Sequence, residues 1–277
     1  SSVFVALGFS MAPLTFDMLI QSTSWRSAWL IMALSIGVFF TLFVFLFFRD
    51  NPEDFGMPPD GEKHAEKNKN KKPKLLKEFT LKEARKTLTF WLFAIPLALF
   101  ALYITGFTFH LISIFETAEM TRDQALAVFI PISIISVTIS LVGGLISDRI
   151  KLKYLLYLIL GGQVIALLSL GKLNDGIYYY GFIAGNAIVN GLFNVLMAVT
   201  WPRFYGYRHL GKITGFVMAL TVFGSALGPV IYSISFTKLG SYSYAFLSLA
   251  GVAAILLALS FKADNPQDKF ENVRENS

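Results

Sequence analysis

Long apolar stretches, nearly free of charge, alternate with short polar ones along most of the chain. Eight stretches stand out, at roughly 3–21, 27–48, 90–115, 123–147, 154–171, 177–200, 212–237 and 243–261. Each is close to the ~20 residues that a helix needs to cross ~30 Å of hydrocarbon. None alternates with period two, and a backbone in lipid must pair every N–H and C=O within a helix or a closed barrel. The pattern therefore predicts eight transmembrane helices. The first stretch has no basic residues before it and no cleavage-site pattern after it, and the chain opens at Ser1 rather than Met, so a span is expected there and not a leader.

Composition points the same way. Of 277 residues, 55% are hydrophobic, 15% aromatic and 15% charged, too little polar material to coat a soluble body. There is no Cys, which excludes disulfides, thiolate metal sites and Cys nucleophiles. Lys and Arg fall almost entirely in alternate loops. Residues 49–88, 148–153, 201–212 and the tail from 262 hold 11, 3, 3 and 3 of them, 20 of the 24, whereas the other loops hold only Arg26, Arg122, Lys172 and Lys238. The positive-inside rule places the long loop and the C-terminus in the cytoplasm of a multi-pass protein of the plasma (inner) membrane. The net charge of +6 is thus a topology signal and calls for no nucleic-acid partner.

The first two helices repeat in the last two. Gly8, Ala12 and Pro13 match Gly224, Gly228 and Pro229 at an offset of 216, and Ala28 matches Ala245 at 217. The exit Asp50-Asn51-Pro52-Glu53-Asp54 matches Asp264-Asn265-Pro266-Gln267-Asp268 at 214. Copies in the same orientation mark a parallel repeat of two halves. The expected layout is 1–48 as the last two helices of a first half, 49–88 as an inter-half loop with a short interfacial helix at the capping box Thr80-Leu81-Lys82-Glu83, 89–261 as a six-helix second half, and 262–277 as a cytoplasmic tail. Equal halves would place four more helices, roughly 127 residues, before Ser1.

Gly144-Leu145-Ile146-Ser147-Asp148-Arg149-Ile150-Lys151-Leu152-Lys153 resembles the loop signature of the major facilitator superfamily, with Lys151 where a second Gly is usual. Trp25-Arg26, Arg49 to Gly56, Phe79 to Trp91, and Trp201 to Gly206 through Leu210-Gly211 are similar to its branch of monocarboxylate porters and oxalate–formate exchangers. The resemblance covers nearly the whole chain. It implies an all-α membrane protein whose eight helices are helices 5–12 of a twelve-helix fold, working as a symporter or antiporter by alternating access. It also implies that Gly144, Asp148, Arg149 and Lys153 form a gating loop, in which Asp148 takes hydrogen bonds from a neighbouring helix N-terminus and pairs with a base.

Polar residues inside spans are the candidates for solute chemistry, because polar atoms there are costly unless used. Asp17 is the ionisable acid inside a span and His110 titrates near neutral pH, so both are candidates for proton coupling. Tyr103 lies a little under two turns from His110. Asn186, Asn190 and Asn194 form a stripe on one helix face, and Ser133, Ser136 and Ser140 form another. The expected solute pathway comprises Tyr103, His110, Ser136, Ser140, Asn186, Asn190 and Asn194. Gly181 and Gly185 make a small-xxx-small packing motif, although the Ser and Asn stripes can equally serve packing. Pro96, Pro131 and Pro229, with Gly224 and Gly228, supply hinges or, for the glycines, close helix approach.

One departure bears on the solute. Carboxylate porters of that branch carry an Arg where Ser140 stands, and nothing basic lies between Lys212 and Lys238. Either a cation sits in helices upstream or the solute is not a simple carboxylate. The leading expectation is a secondary transporter of a small organic solute, monocarboxylate-like, with a coupling proton, the lipid bilayer around it and a monomeric functional unit. The alternatives are a porter of neutral solutes, or a transporter-derived sensor or partner-binding protein. The Lys-, Glu- and Asn-rich linker 60–78 has no docking motif that would favour the last. No enzyme constellation, cofactor or metal site is expected, since His64 and His209 lie in loops without ligand spacing.

Overall fold

A computed structural model describes residues 2–47, 77–174, 176–268 and 270, all of them in helices or the turns that join helices, with no strand among the described residues. Residues 48–76, with His64 and the Asp50 to Asp54 motif, and the tail beyond 270 lie outside the described residues. Two compact units are present, Ala12–Lys74 and Ser1–Met11 with Leu75–Ser277.

α1 (Ser2–Ser22), which belongs to the smaller unit from Ala12 on, gives way there to α2 (Trp25–Phe47) at a tight turn. Ser24 holds extended backbone and its hydroxyl accepts from the Ser27 amide at 3.2 Å, satisfying one of the orphan donors that open α2. Phe16 and Trp29 meet edge to face at 5.1 Å. A widened turn over Ser35–Phe40 interrupts α2, where the Ser35 hydroxyl bonds back to the Ile31 carbonyl at 2.8 Å.

The larger unit contains the short α3 (Leu81–Ala84) and six long helices: α4 (Leu88–Thr117), α5 (Arg122–Ser147), α6 (Leu152–Leu170), α7 (Gly176–Tyr205), α8 (Leu210–Leu239) and α9 (Ser243–Leu259). Seven helices among the described residues, α2 and α4 to α9, are long and apolar enough to cross a bilayer, and the 21-residue α1 completes the expected set. α5 breaks at Val128, just ahead of Pro131, whose missing N–H leaves the Ala127 carbonyl without its helical donor. α7 runs five residues past its expected end at Thr200, carrying Trp201 and Tyr205 fully buried. It stops at Gly206, which takes φ +88 and has Glu78 pressed against its Cα, so a side chain would be both strained and obstructed.

Within lipid, helices associate through close packing rather than through expulsion of water, and glycine decides where. α8 lies on α4 through Gly224 and Gly228, and a Cβ on Gly224 would stand 2.5 Å from the Ala98 carbonyl oxygen. α7 lies on α6 through Gly181 and Gly185, where a Cβ on Gly185 would stand 2.6 Å from the Gly162 carbonyl oxygen. On its other side α7 meets α5 at Gly191, 2.7 Å on the same measure from the Ser136 carbonyl oxygen. The expected Gly181/Gly185 motif is therefore a packing seam, and Gly224 and Gly228 are one as well.

The capping box at α3 is formed as expected. The Thr80 hydroxyl accepts from the Glu83 amide at 3.3 Å, while Glu83 Oε2 accepts from the Thr80 amide at 2.8 Å. That amide, then the Lys77 ammonium at 2.9 Å and the Thr80 hydroxyl, hold the Glu83 carboxyl down at about 2. A carboxyl lowered on folding contributes stability above its unfolded value, and the contribution is lost as pH falls towards 2. The carbonyl-carbon NMR signal of Glu83 should titrate near pH 2 and move up towards the ordinary carboxylate range in Thr80→Ala. Titration of the unmodified protein in the ordinary range would show that the box is not formed.

Candidate functional site

The crossing of α5 and α7 brings together four of the residues marked as solute contacts. Residues four apart share a helix face, so Ser136 and Ser140 project from α5 towards Asn190 and Asn194 of α7. With Val137 and Val195 they line a groove of about 410 Å³. Gly191, where α7 comes closest to Ser136, also lines it, and Leu192 packs over Gly143 at the same crossing. The polar atoms are not equivalent. Asn190 Nδ2 donates to the Asn186 carbonyl oxygen at 2.9 Å and to Asn186 Oδ1 at 2.7 Å, and the Ser136 hydroxyl bonds back to the Ser133 carbonyl at 3.1 Å. Asn194 and Ser140 make no side-chain hydrogen bond among the described residues, so their donors and acceptors are free for a solute.

Asn186 belongs to a deeper layer. It is 1% exposed, and the fully buried Tyr103 of α4 brings its hydroxyl beside it without reaching hydrogen-bond geometry. Phe107 over Phe182, with ring centroids 5.0 Å apart, holds α4 against α7 one turn away. Tyr232 of α8, also fully buried, faces Tyr103, and its ring covers Gly106. Tyr103, Asn186 and Tyr232 thus come from three helices to one place behind the groove.

His110 is removed from the groove and half-buried. Its Nε2 lies 3.1 Å from the Pro229 carbonyl oxygen and its Nδ1 3.2 Å from the Tyr242 hydroxyl, so it joins α4 to α8 and to the start of α9. Asp17 belongs to α1; it is buried and accepts from Gln21 Nε2 at 2.6 Å.

At the end of the unit rich in Lys and Arg, the signature loop is tied through Lys153, one of the residues the motif suggests, and not through Asp148 or Arg149. The Asp148 and Arg149 side chains are exposed and make no side-chain hydrogen bond or ion pair among the described residues. Lys153 instead pairs with Asp264 at 2.6 Å, and Arg203 donates to the Ser147 carbonyl oxygen at 2.5 Å. Gln267 Nε2 donates to the Lys77 and Phe204 carbonyl oxygens at 2.8 and 3.0 Å, and its Oε1 accepts from the Lys77 amide at 3.0 Å. The repeat motif Asp264 to Asp268 is therefore a docking segment of tail that fastens Lys77 ahead of α3, the start of α4 through the Thr89 hydroxyl, which donates to the Asp264 carbonyl oxygen at 2.8 Å, the start of α6 and the end of α7. A cavity of about 180 Å³ bounded by Lys151, Lys153, Arg203, Asp264 and Asp268 lies beside it.

Tyr232 and Tyr242 were not marked by the sequence, and Arg203 and Gln267 were marked only as members of the Trp201 to Gly206 and Asp264 to Asp268 motifs. A tyrosine inside the span at Tyr232, a polar-tipped ring in the last third of α8, was the available signal.

An all-helical membrane protein with a polar groove between two of its helices has the build of a solute carrier. A family model for the Major Facilitator Superfamily matches residues 1–206, and no curated protein matches the chain. The chain belongs to the Major Facilitator Superfamily and is a membrane transporter.

Proposed function

We propose that the chain moves a small organic solute by alternating access, with the α5–α7 groove as part of the solute route. The observation that supports this is the coincidence of free hydrogen-bonding groups with space: Asn194 and Ser140 face about 410 Å³ in a membrane-embedded crossing where unused polar atoms would be costly. An amide and a hydroxyl suit the oxygens of a carboxylate, hydroxyl or carbonyl group. The monocarboxylate-like reading rests on the motif resemblance and needs a cation from elsewhere, since no Lys or Arg among the described residues lines the groove. That same lining favours the second reading, a neutral solute. We read the face rich in Lys and Arg as cytoplasmic, which its charge supports, and the membrane as the plasma (inner) membrane. On this reading Asp148 and Arg149 engage in the other access state, while the Gly224–Gly228 seam with Pro229 lets α8 shift on α4.

Uptake of radiolabelled monocarboxylates, dicarboxylates, amino acids and neutral solutes into proteoliposomes holding the intact protein tests this, with and without a pH gradient. Accumulation of a carboxylate supports the first reading and accumulation of a neutral solute the second. No uptake of any class would overturn transport of a small organic solute.

A further inference from the structure

Beyond α9 the chain folds back on the larger unit at Asn265-Pro266-Gln267-Asp268. Pro266 presets the turn, Asn265 Oδ1 accepts from the Gln267 amide at 3.1 Å, and the Asp268 amide donates to the Asn265 carbonyl oxygen at 3.1 Å. The turn aims the Gln267 side chain into the protein, where the residue is only 6% exposed. There the side chain serves both backbone polar atoms of Lys77, 190 residues earlier, accepting from its N–H at 3.0 Å and donating to its carbonyl oxygen at 2.8 Å. It also donates to the Phe204 carbonyl oxygen at 3.0 Å. Phe204 and Tyr205 close α7, and the last carbonyls of a helix have no donor within it. Gln267 supplies one and the Phe79 amide the other, at 2.9 Å to Tyr205. Phe270, whose amide donates to the Gln267 carbonyl at 2.9 Å, meets the Phe79 ring edge to face at 5.8 Å, and the Lys77 ammonium stands 5.0 and 5.1 Å from the two ring centroids. Residues 77–79 are thus held between the end of α7 and the tail.

We infer that the tail is a strap, pinned by Gln267, that fixes where the chain arriving from the smaller unit becomes part of the six-helix bundle. Closed, it starts the fixed part at Lys77. Open, it leaves Lys77 without its backbone partners and uncovers one side of Phe79, so water competes for the Phe79–Tyr205 bond and for the bond from the Arg208 amide to the exposed Glu78. The fixed part then starts at the Thr80 cap of α3, and three more residues join the connection between the units, adding about 10 Å of reach at 3.3–3.6 Å per extended residue. The pin is the buried amide and not the ion pair at the root of the strap. Lys153 meets Asp264 at 2.6 Å, but the Asp264 side chain is 58% exposed, and an ion pair in water contributes little. Whatever draws off the tail lengthens the connection without entering the helices. This device stands on contacts within the larger unit and does not depend on the solute route.

The test is hydrogen–deuterium exchange of the intact protein in nanodiscs, read by mass spectrometry on peptides covering residues 77–80. Gln267→Met, which keeps the length of the side chain and loses its amide, should speed exchange there at least about tenfold. Gln267→Glu keeps an acceptor for the Lys77 N–H but sets a carboxylate against two carbonyl oxygens, and should also speed it. Phe270→Ala, at the outer edge of the strap, should act in the same direction and gives the reading independently if Gln267→Met lowers the yield. Asp264→Asn should change it less than about threefold. Peptides from the middle of α4 and α7 should exchange at the parent rate in every variant. Parent exchange at 77–80 in Gln267→Met or in Phe270→Ala would mean that α7 alone holds this segment and would overturn the strap. Acceleration spread equally through the helices would overturn it too, since the tail would then be part of the bundle core. The measurement needs no solute, so a failure of uptake in proteoliposomes would count against the transport reading alone.

Discussion

Gly228→Val is expected to leave no stably folded transporter. A Cβ at this position would fall on the Leu102 carbonyl oxygen and 2.8 Å from the Gly106 amide nitrogen. Both are backbone atoms of α4, which cannot rotate aside as a side-chain tip would, so the two helices must part. Overpacking of a tight interior costs about 1–3 kcal/mol and more where backbone is displaced. Parting α4 from α8 would also uncover Gly224 over Ala98 and Tyr232 over Gly106, contacts that close packing supplies without help from water. Gly215→Ala is the matched control on the same helix, because nothing lies within 4 Å of a Cβ there and alanine is the better helix former. Thermal unfolding followed by size-exclusion fluorescence should show loss of the monodisperse peak for Gly228→Val and an unchanged or higher Tm for Gly215→Ala. A Gly228→Val protein with the parent Tm would mean that the seam is not closed as described.

The same residue shows what the sequence carried and what it withheld. Span lengths follow from apolar runs, so α4 to α9 lie within a few residues of expectation except at the end of α7. There the apolar run ends at Thr200 and residues 201–212 counted as a loop, but Pro202 near a helix end removes only one bond, and burial of Trp201 and Tyr205 carries the helix on. The capping box was legible because it is local. Gly224 and Gly228 could be marked as special, yet whether a glycine bends a helix or seats one against another depends on what lies opposite, which spacing along one chain does not reveal. The groove residues were visible as i, i+4 stripes of Asn and Ser. Their division into Asn186 and Asn190, bonded to one another, and Asn194 and Ser140, left open, required the second helix. His110 was marked by its chemistry, whereas its partners lie 119 and 132 residues away in sequence and no local pattern points to them. The tail is the clearest case: its repeat marked Asp264 to Asp268 as meaningful, and only its contacts with Lys153, Lys77 and Phe204 say why.

The division within the Asn stripe separates solute contact from packing by experiment. Asn190→Leu should lower both stability and transport, because it removes two hydrogen bonds to Asn186 and leaves Asn186 Oδ1 buried without its donor, at a cost of about 1–3 kcal/mol. Asn194→Leu should behave differently. Asn194 is exposed to the groove and makes no side-chain hydrogen bond among the described residues, so its loss leaves the fold and the Tm unchanged. What it removes is a contact to the solute. A site group that binds a substrate oxygen is worth about 1.4 kcal/mol or more when the contact is desolvated, which is a tenfold change in affinity. The KM for uptake of whichever solute the panel identifies should therefore rise about tenfold in Asn194→Leu at parent Tm, and Ser140→Ala should raise it in the same direction. If Asn194→Leu transports with the parent KM while Asn190→Leu loses only stability, the stripe is a packing surface and the solute passes elsewhere. A raised KM at unchanged Tm is the combination that packing alone does not produce, since a residue with no hydrogen-bond partner among the described residues is expected to weaken uptake through the solute it binds.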